Sequence, residues 1–233
     1  MDINIIFEDK DLIVVHKPAG VSSQSSNDFE EDMVSLIKKH VKEASANAGG
    51  ASISAKGGTG ASGKAVTGEP YVGVIHRLDK MVSGIMVYAL TKEAAANLSS
   101  QVQKGSIAKK YEASLLGIPK ESKGEYVDYL IKDENENISR VSGPKDKKAK
   151  EARLKYKVID KKYDGKRRTS KVEIELITGR HHQIRVQFAS RGTPVLGDHK
   201  YGDKDDGENE IQLRSTELSF IHPKTKKVMV FHD

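Results

Sequence analysis

The chain contains no cysteine. That excludes disulfides, thiolate metal sites and a cysteine nucleophile, and it fits a reducing cytoplasm. No apolar run approaches the ~20 residues that a membrane helix needs, so no membrane partner is expected. The opening MDINIIFEDKDLIVV is acidic and broken by charges, the opposite of a secretory signal. No internal repeat is visible. What is there is a polar chain of 233 residues, 36% hydrophobic and 31% charged, long enough to bury a core. The expectation is a soluble, cytoplasmic, globular protein.

Net charge is +6, and it is unevenly spread. Pro144 to Lys171 holds 13 Lys/Arg against 4 Asp/Glu, while the rest of the chain is slightly acidic at −3. A concentrated basic segment suggests a polyanion partner, and a solvated Lys-rich strand face is the plainer alternative.

The patterning predicts an α+β fold in which strands outnumber helices. Ile3 to Phe7 and Leu12 to Val15 flank the turn Glu8-Asp9-Lys10-Asp11 and read as a strand pair. Asp28-x-x-Glu31 resembles a capping box, with Val34, Ile37 and Val41 following at helical spacing to about Glu43. Thr91 caps an Ala-rich helix to Val102, stopped by Lys104-Gly105. Tyr111 to Leu116 and Tyr126 to Ile131 read as strands. Leu154, Tyr156 and Val158, then Val172, Ile174 and Leu176, alternate with charges as half-buried antiparallel strands do, joined at Asp164-Gly165. Gln183 to Ser190 reads as a short helix. The whole of 1–233 is expected to form one catalytic domain, with a Gly/Ala/Ser-rich loop at about 44–68.

That loop contains GTGASGKA, close to the phosphate-binding G-x-x-x-x-G-K-[ST]. Gly58, Gly63 and Lys64 fit, but Ala65 stands where magnesium needs a hydroxyl, and no apolar strand or helix flanks it. It is read as a compositional match, and no nucleotide cofactor is expected. A kinase reading of HRLDK fails too, because Asp79 is one place late and Gly84 stands where a metal-binding Asn is required.

Reactive side chains concentrate in two stretches. In VIHRLDKMVSG, Asp79 is flanked by Arg77 and Lys80, which favour its ionised form. Such an Asp can be a nucleophile or base, or half of an ion pair that only pins a loop. In TGRHHQIRV, two Arg, two His and a Gln gather at a helix start that favours phosphate. Adjacent His181 and His182 are expected to point apart, and no H-x-x-x-H spacing occurs, so no metal site is expected.

Together these blocks resemble the RluA family of RNA pseudouridine synthases. HRLDKMVSG is similar to its H-R-L-D-x-x-T-S-G motif, and TGRHHQIRVQFASRGTPVLGDHKYG to its G-R-T-H-Q-I-R-V-H…G-D-x-x-Y-G block. IIFEDKDLIVVHKPAG, KKYEASLLG and LSFIHPKTKKVMVF match three further blocks, in order, over nearly the whole chain. Val82 and His181 replace a usual Thr each, and Gln187 replaces a usual His. The resemblance leaves no room for the extra N-terminal RNA-binding domain that some members carry.

The resemblance implies cleavage of the uridine N1–C1′ bond, rotation of the base and rejoining through C5, in structured rRNA or tRNA. That chemistry needs no metal, nucleotide or organic cofactor. It implies Asp79 as the essential carboxylate, Arg185 as its partner and Tyr111 as an active-site ring whose hydroxyl can assist proton removal. Arg77 would fill the gap left by an extruded nucleotide. Lys109, Lys110, Arg180 and His182, with the basic segment, would contact RNA. The alternative is a non-catalytic RNA-binding or RNA-folding protein on the same scaffold. A monomer is expected, since no apolar helix face stands out as a spare interface.

Overall fold

A computed structural model describes residues 3–25, 30–49, 69–203 and 206–233. GTGASGKA and Asp28 lie outside the described residues. Among these, strands and helices follow as β1 (Asn4–Glu8), β2 (Leu12–Lys17), α1 (Met33–Gly49), β3 (Gly73–Val74), β4 (Ser83–Ala89), α2 (Lys92–Gln103), β5 (Ala108–Leu116), β6 (Lys123–Asp133), β7 (Ile138–Ser142), β8 (Lys150–Tyr163), β9 (Arg168–Leu176), α3 (Gln183–Ala189), β10 (Leu213–Ile221) and β11 (Val228–His232). The strands join in one sheet of order β1-β2-β4-β10-β5-β9-β8-β6-β7, with β11 on β10 and β3 on β4. Among the described strands, β4 and β10 are the one parallel pair. The mainly antiparallel α+β class expected from the alternating strands is the class observed.

The apolar run Leu12 to Val15 does not alternate because both of its faces are covered. Ile13 and Val15 join Met86 and Tyr88 of β4 beneath Met33 and Ile37 of α1 and Phe188 of α3. Leu12 and Val14 join Ile85 and Val87 on the opposite face, under Ala94 and Leu98 of α2. The first turn is an Asx turn: Asp9 Oδ1 accepts from the backbone N–H of Asp11 at 2.8 Å and of Leu12 at 3.0 Å.

The strands β5 and β6 run a few residues longer than expected, and the larger differences are in α1 and β7. Helix α1 starts at Met33 under Asp32, whose carboxylate takes the Ser35 N–H at 2.7 Å. It also continues past Glu43 to Gly49, into the expected loop, because Ala and Asn residues there carry no helix breaker until the glycines. Strand β7 was not foreseen. It is a sheet edge of five residues with little apolar alternation.

Gly84 is the second residue of β4, just after the loop that carries Asp79. Its φ is +120°, and a Cβ there would lie 2.2 Å from Ser215 O and 2.6 Å from Ser215 N of β10. Backbone cannot give way as a side chain tip can, so Gly84→Ala is expected to cost roughly 2–3 kcal/mol. The check is a urea midpoint. A loss below about 0.5 kcal/mol would show that β4 and β10 separate easily here.

Candidate active site

Asp79 sits in the loop between β3 and β4, and that loop is fastened on both sides of it. On one side Ser23 Oγ donates to Leu78 O at 2.8 Å and accepts from Leu78 N at 3.0 Å. On the other, Lys80 O accepts from Gly20 N at 2.9 Å and from Lys17 Nζ at 3.0 Å. Lys17 is 0% exposed, and its Nζ also donates to Pro18 O and Val21 O. Burial lowers its pKa to about 8, opposed by the charge of Asp79. It therefore remains an ammonium at neutral pH, with three hydrogens for three carbonyls.

The cation that holds Asp79 comes from 106 residues further on. Arg185 of α3 donates from Nη1 to Asp79 Oδ2 at 3.0 Å. Its other edge grips Asp198, with Nε to Oδ2 at 2.8 Å and Nη2 to Oδ1 at 2.7 Å. The Arg185 side chain is 10% exposed and that of Asp198 is 0% exposed. Burial alone would lower the guanidinium's pKa. The hydrogen bonds and charge of Asp198, with Asp79, override it and hold the pKa above its ordinary value. Arg77 and Lys80, the sequence neighbours expected to hold Asp79, do not. Lys80 pairs with Glu30, and Arg77 has no ion pair or hydrogen bond among the described residues.

His182 completes the surroundings of the carboxylate, with Nε2 3.6 Å from Asp79 Oδ2 and a side chain 7% exposed. Tyr201 OH accepts from Ser139 N at 2.6 Å and meets His182 Nδ1 at 2.8 Å. The phenol therefore donates to Nδ1, which places the imidazole hydrogen on Nε2, toward Asp79. Burial lowers the His182 pKa to about 4, with Asp79 opposing and Arg185 assisting, so the ring is neutral at pH 7. Its φ of 52° is left-handed. That turn brings the two adjacent rings face to face, with centroids 3.7 Å apart, where an extended strand or a helix would have splayed them.

Tyr111 lies on β5 with its ring buried in the core and lining the same cleft. Burial, and then the charge of Asp79, raise its phenol pKa, so the hydroxyl is protonated at neutral pH. Lys109 lines the cleft beside it, and Lys110 does not. Side chains alternate along β5, so Lys110 faces the other side, where it pairs with Glu217 at 2.9 Å. The basic segment 144–171 contributes nothing to the lining. Within it Lys155 and Lys157 stand opposite Glu175 and Glu173 across the β8–β9 ladder. The cations of the cleft are instead scattered through the sequence: Arg77, Lys80, Lys109, Lys132, Arg180 and Lys200. At about 1180 Å³ the cleft exceeds an ordinary small-molecule pocket.

Sequence reasoning missed Lys17, Ser23, Asp198 and Tyr201. Asp198 was within reach, because a buried Arg requires a buried acid and GDHKYG supplies one shortly after α3. A cluster of Asp9, Asp11 and His222 lies within metal-ligand reach elsewhere. His222 Nδ1 accepts from Lys224 N and Thr225 N, so Nε2 carries the hydrogen that it gives to Asp9 at 2.7 Å. Both nitrogens are engaged in tying the first turn to the last, which leaves no lone pair for a metal.

A second histidine, half-buried, behaves like His182. His76 Nε2 accepts from Val87 N at 3.3 Å, and burial lowers its pKa to about 3. Both rings are neutral when folded and titrate near 6.5 when unfolded. Below pH 6.5 the unfolded chain binds more protons, so their contribution is complete above 6.5 and lost as pH falls toward 4 and 3. Urea unfolding is expected to show up to about 2 kcal/mol lost per ring by pH ~5. Gln at either position should flatten that slope, and an unchanged slope would show that neither proton matters.

Among the described residues no helix is long and apolar enough to cross a membrane. The sequence profile of the family described as RNA pseudouridylate synthase matches residues 11–190. An uncharacterized RNA pseudouridine synthase of Aquifex aeolicus (strain VF5) is 33% identical over 240 residues, covering 98% of this chain and 68% of that protein. A ribosomal large subunit pseudouridine synthase D of Zymomonas mobilis is 30% identical over 239 residues, covering 98% and 68%. The chain thus spans about two thirds of these relatives. Among solved structures, human RNA pseudouridylate synthase domain containing 1 superposes with a TM-score of 0.74 at 20% identity, covering 100% of this chain and 83% of that one.

Proposed function

Because the chain belongs to the RNA pseudouridylate synthase family, which makes it an RNA-modifying isomerase, we propose that it converts specific uridines of structured rRNA or tRNA to pseudouridine at Asp79. The observation that carries the reading is the fastened carboxylate: Asp79 on the floor of a cation-lined cleft, held by a buried Arg185 that Asp198 fixes in turn. Binding alone would not need a buried charge relay, which costs desolvation.

The reaction breaks N1–C1′, joins C5 to C1′, releases the C5 proton and protonates N1. Asp79 is the group that acts on the nucleoside, and Arg185 holds it in place through the 3.0 Å hydrogen bond. Neutral His182 stands beside the same carboxylate, its Nε2 3.6 Å from Oδ2. Tyr111 stands as the wall against the uracil ring, with its hydroxyl protonated. Flipping the uridine out costs a few kcal/mol. Arg77, exposed and unpaired among the described residues, fills the vacated stack. Lys109 and Arg180 take phosphates. Relatives named for the ribosomal large subunit make its RNA the first substrate to try.

The test is tritium release from RNA carrying uridine labelled at C5, in the absence of added metal or nucleotide. Release should be enzyme-dependent and should weaken steeply with salt, because scattered lysines and arginines displace counterions from the RNA. Salt-sensitive binding without release from any RNA would replace the isomerase with an RNA-binding protein.

A further inference from the structure

His181 occupies the position where the resembled motif carries Thr, and the proposed chemistry gives it no task. Its surroundings are specific. One face of the ring lies on His182 at 3.7 Å and 26°. Ser139 Oγ donates to His181 O at 2.8 Å, so at 3.0 Å it accepts from the ring's Nδ1–H. That leaves Nε2 as an acceptor with no partner among the described residues. The ring is half-buried and lines the cleft, and no other ring or guanidinium covers its second face among the described residues. Burial, ahead of the opposing charge of Asp79, keeps the imidazole below its ordinary pKa, so a neutral π-face is offered.

The platform lies close to the carboxylate. His182 Nε2 is 3.6 Å from Asp79 Oδ2, and the His181 ring stacks on the face of His182 with centroids 3.7 Å apart. Lys132 and Lys200 line the same part of the cleft, and their charge is felt at His181. Lys200 Nζ is steadied on Asn137 O at 3.0 Å. Lys132 is paired with Glu134, so a flat open ring, a free acceptor and the Lys200 ammonium suit one nucleotide: base on the ring, phosphate on Lys200.

We propose that His181 is a stacking platform for the nucleobase adjacent to the target uridine, in a strand splayed into the cleft. This rests on the reading of the cleft as an RNA pseudouridine synthase site. Stacking carries little sequence information and no counterion release, so its loss should not depend on salt.

The test uses the full chain and labelled total RNA, with binding measured at two salt concentrations and tritium release measured beside it. His181→Ala is expected to weaken binding about tenfold, by the same factor at both salts, and to raise KM with kcat little changed. Arg180→Ala should flatten the salt slope instead. His181→Phe keeps a ring without nitrogens and should stay within about threefold of wild type. If alanine disturbs folding, His181→Thr supplies the same comparison. Equal loss with Phe and Ala would overturn stacking in favour of a contact to the ring nitrogens. Full affinity in the Ala or Thr variant would overturn the platform. A wild type that binds yet releases no tritium would sink the isomerase reading alone, and the binding comparison would still decide this one.

Discussion

Asp79→Asn is expected to abolish tritium release, by at least about 10⁴-fold, while leaving the fold and RNA affinity in place. The substitution keeps the side chain's size and one oxygen for Arg185 Nη1. It does not strand the arginine, because Asp198 still neutralises it through two hydrogen bonds. Stability should therefore move by less than about 1 kcal/mol. RNA affinity should be unchanged or slightly tighter, since a negative charge leaves a cleft meant for phosphates. The competing account makes Asp79 only a pin between its loop and α3. On that account Asn, which can still accept from Arg185, would keep activity within about tenfold. Tritium release by wild type and variant, with binding measured in parallel, separates the two accounts. Retained turnover would move the chemistry to another group.

How far the sequence led differs by element. Strands β8 and β9 and their turn were readable from alternation, because one face meets solvent and the other the core. Helix α2 was readable from its Thr91 cap, whose hydroxyl does accept from Ala94 N at 3.2 Å. The pairing order was not readable. β10, near the chain's end, inserts between β4 and β5, and nothing local encodes a neighbour more than a hundred residues away. The same limit governs the cleft. A count along the chain pointed to 144–171 as the RNA face, yet the lining cations come one or two at a time from separate elements. The adjacent histidines were misjudged for a local reason: a left-handed residue is visible in sequence when it is glycine, and His182 is not. Asp79, Tyr111 and Arg185 were assembled by resemblance. The structure adds what fastens them, namely Lys17 and Ser23 on the loop and Asp198 behind the arginine.

Removing Asp198 is expected to cost both stability and turnover, and the two losses can be pulled apart. Asp198→Ala leaves Arg185, 10% exposed, with Asp79 as its one remaining anion. Losing the two hydrogen bonds of the buried partner costs about 2–3 kcal/mol, which for a chain this long lowers the unfolding midpoint by roughly 5–10 °C. With its Nε and Nη2 anchors gone, the guanidinium can swing, and Asp79 loses its fixed aim. A misplacement of ~1 Å is enough to lower kcat about a hundredfold. The diagnostic variant is the pair Arg185→Met with Asp198→Leu. Apolar replacement of a buried ion pair restores most of the stability, since the desolvation cost vanishes with the charges. Turnover should stay lost in that pair, because no cation then faces Asp79. If activity returned together with stability, Arg185 and Asp198 would be scaffolding for α3 and no part of the catalytic arrangement.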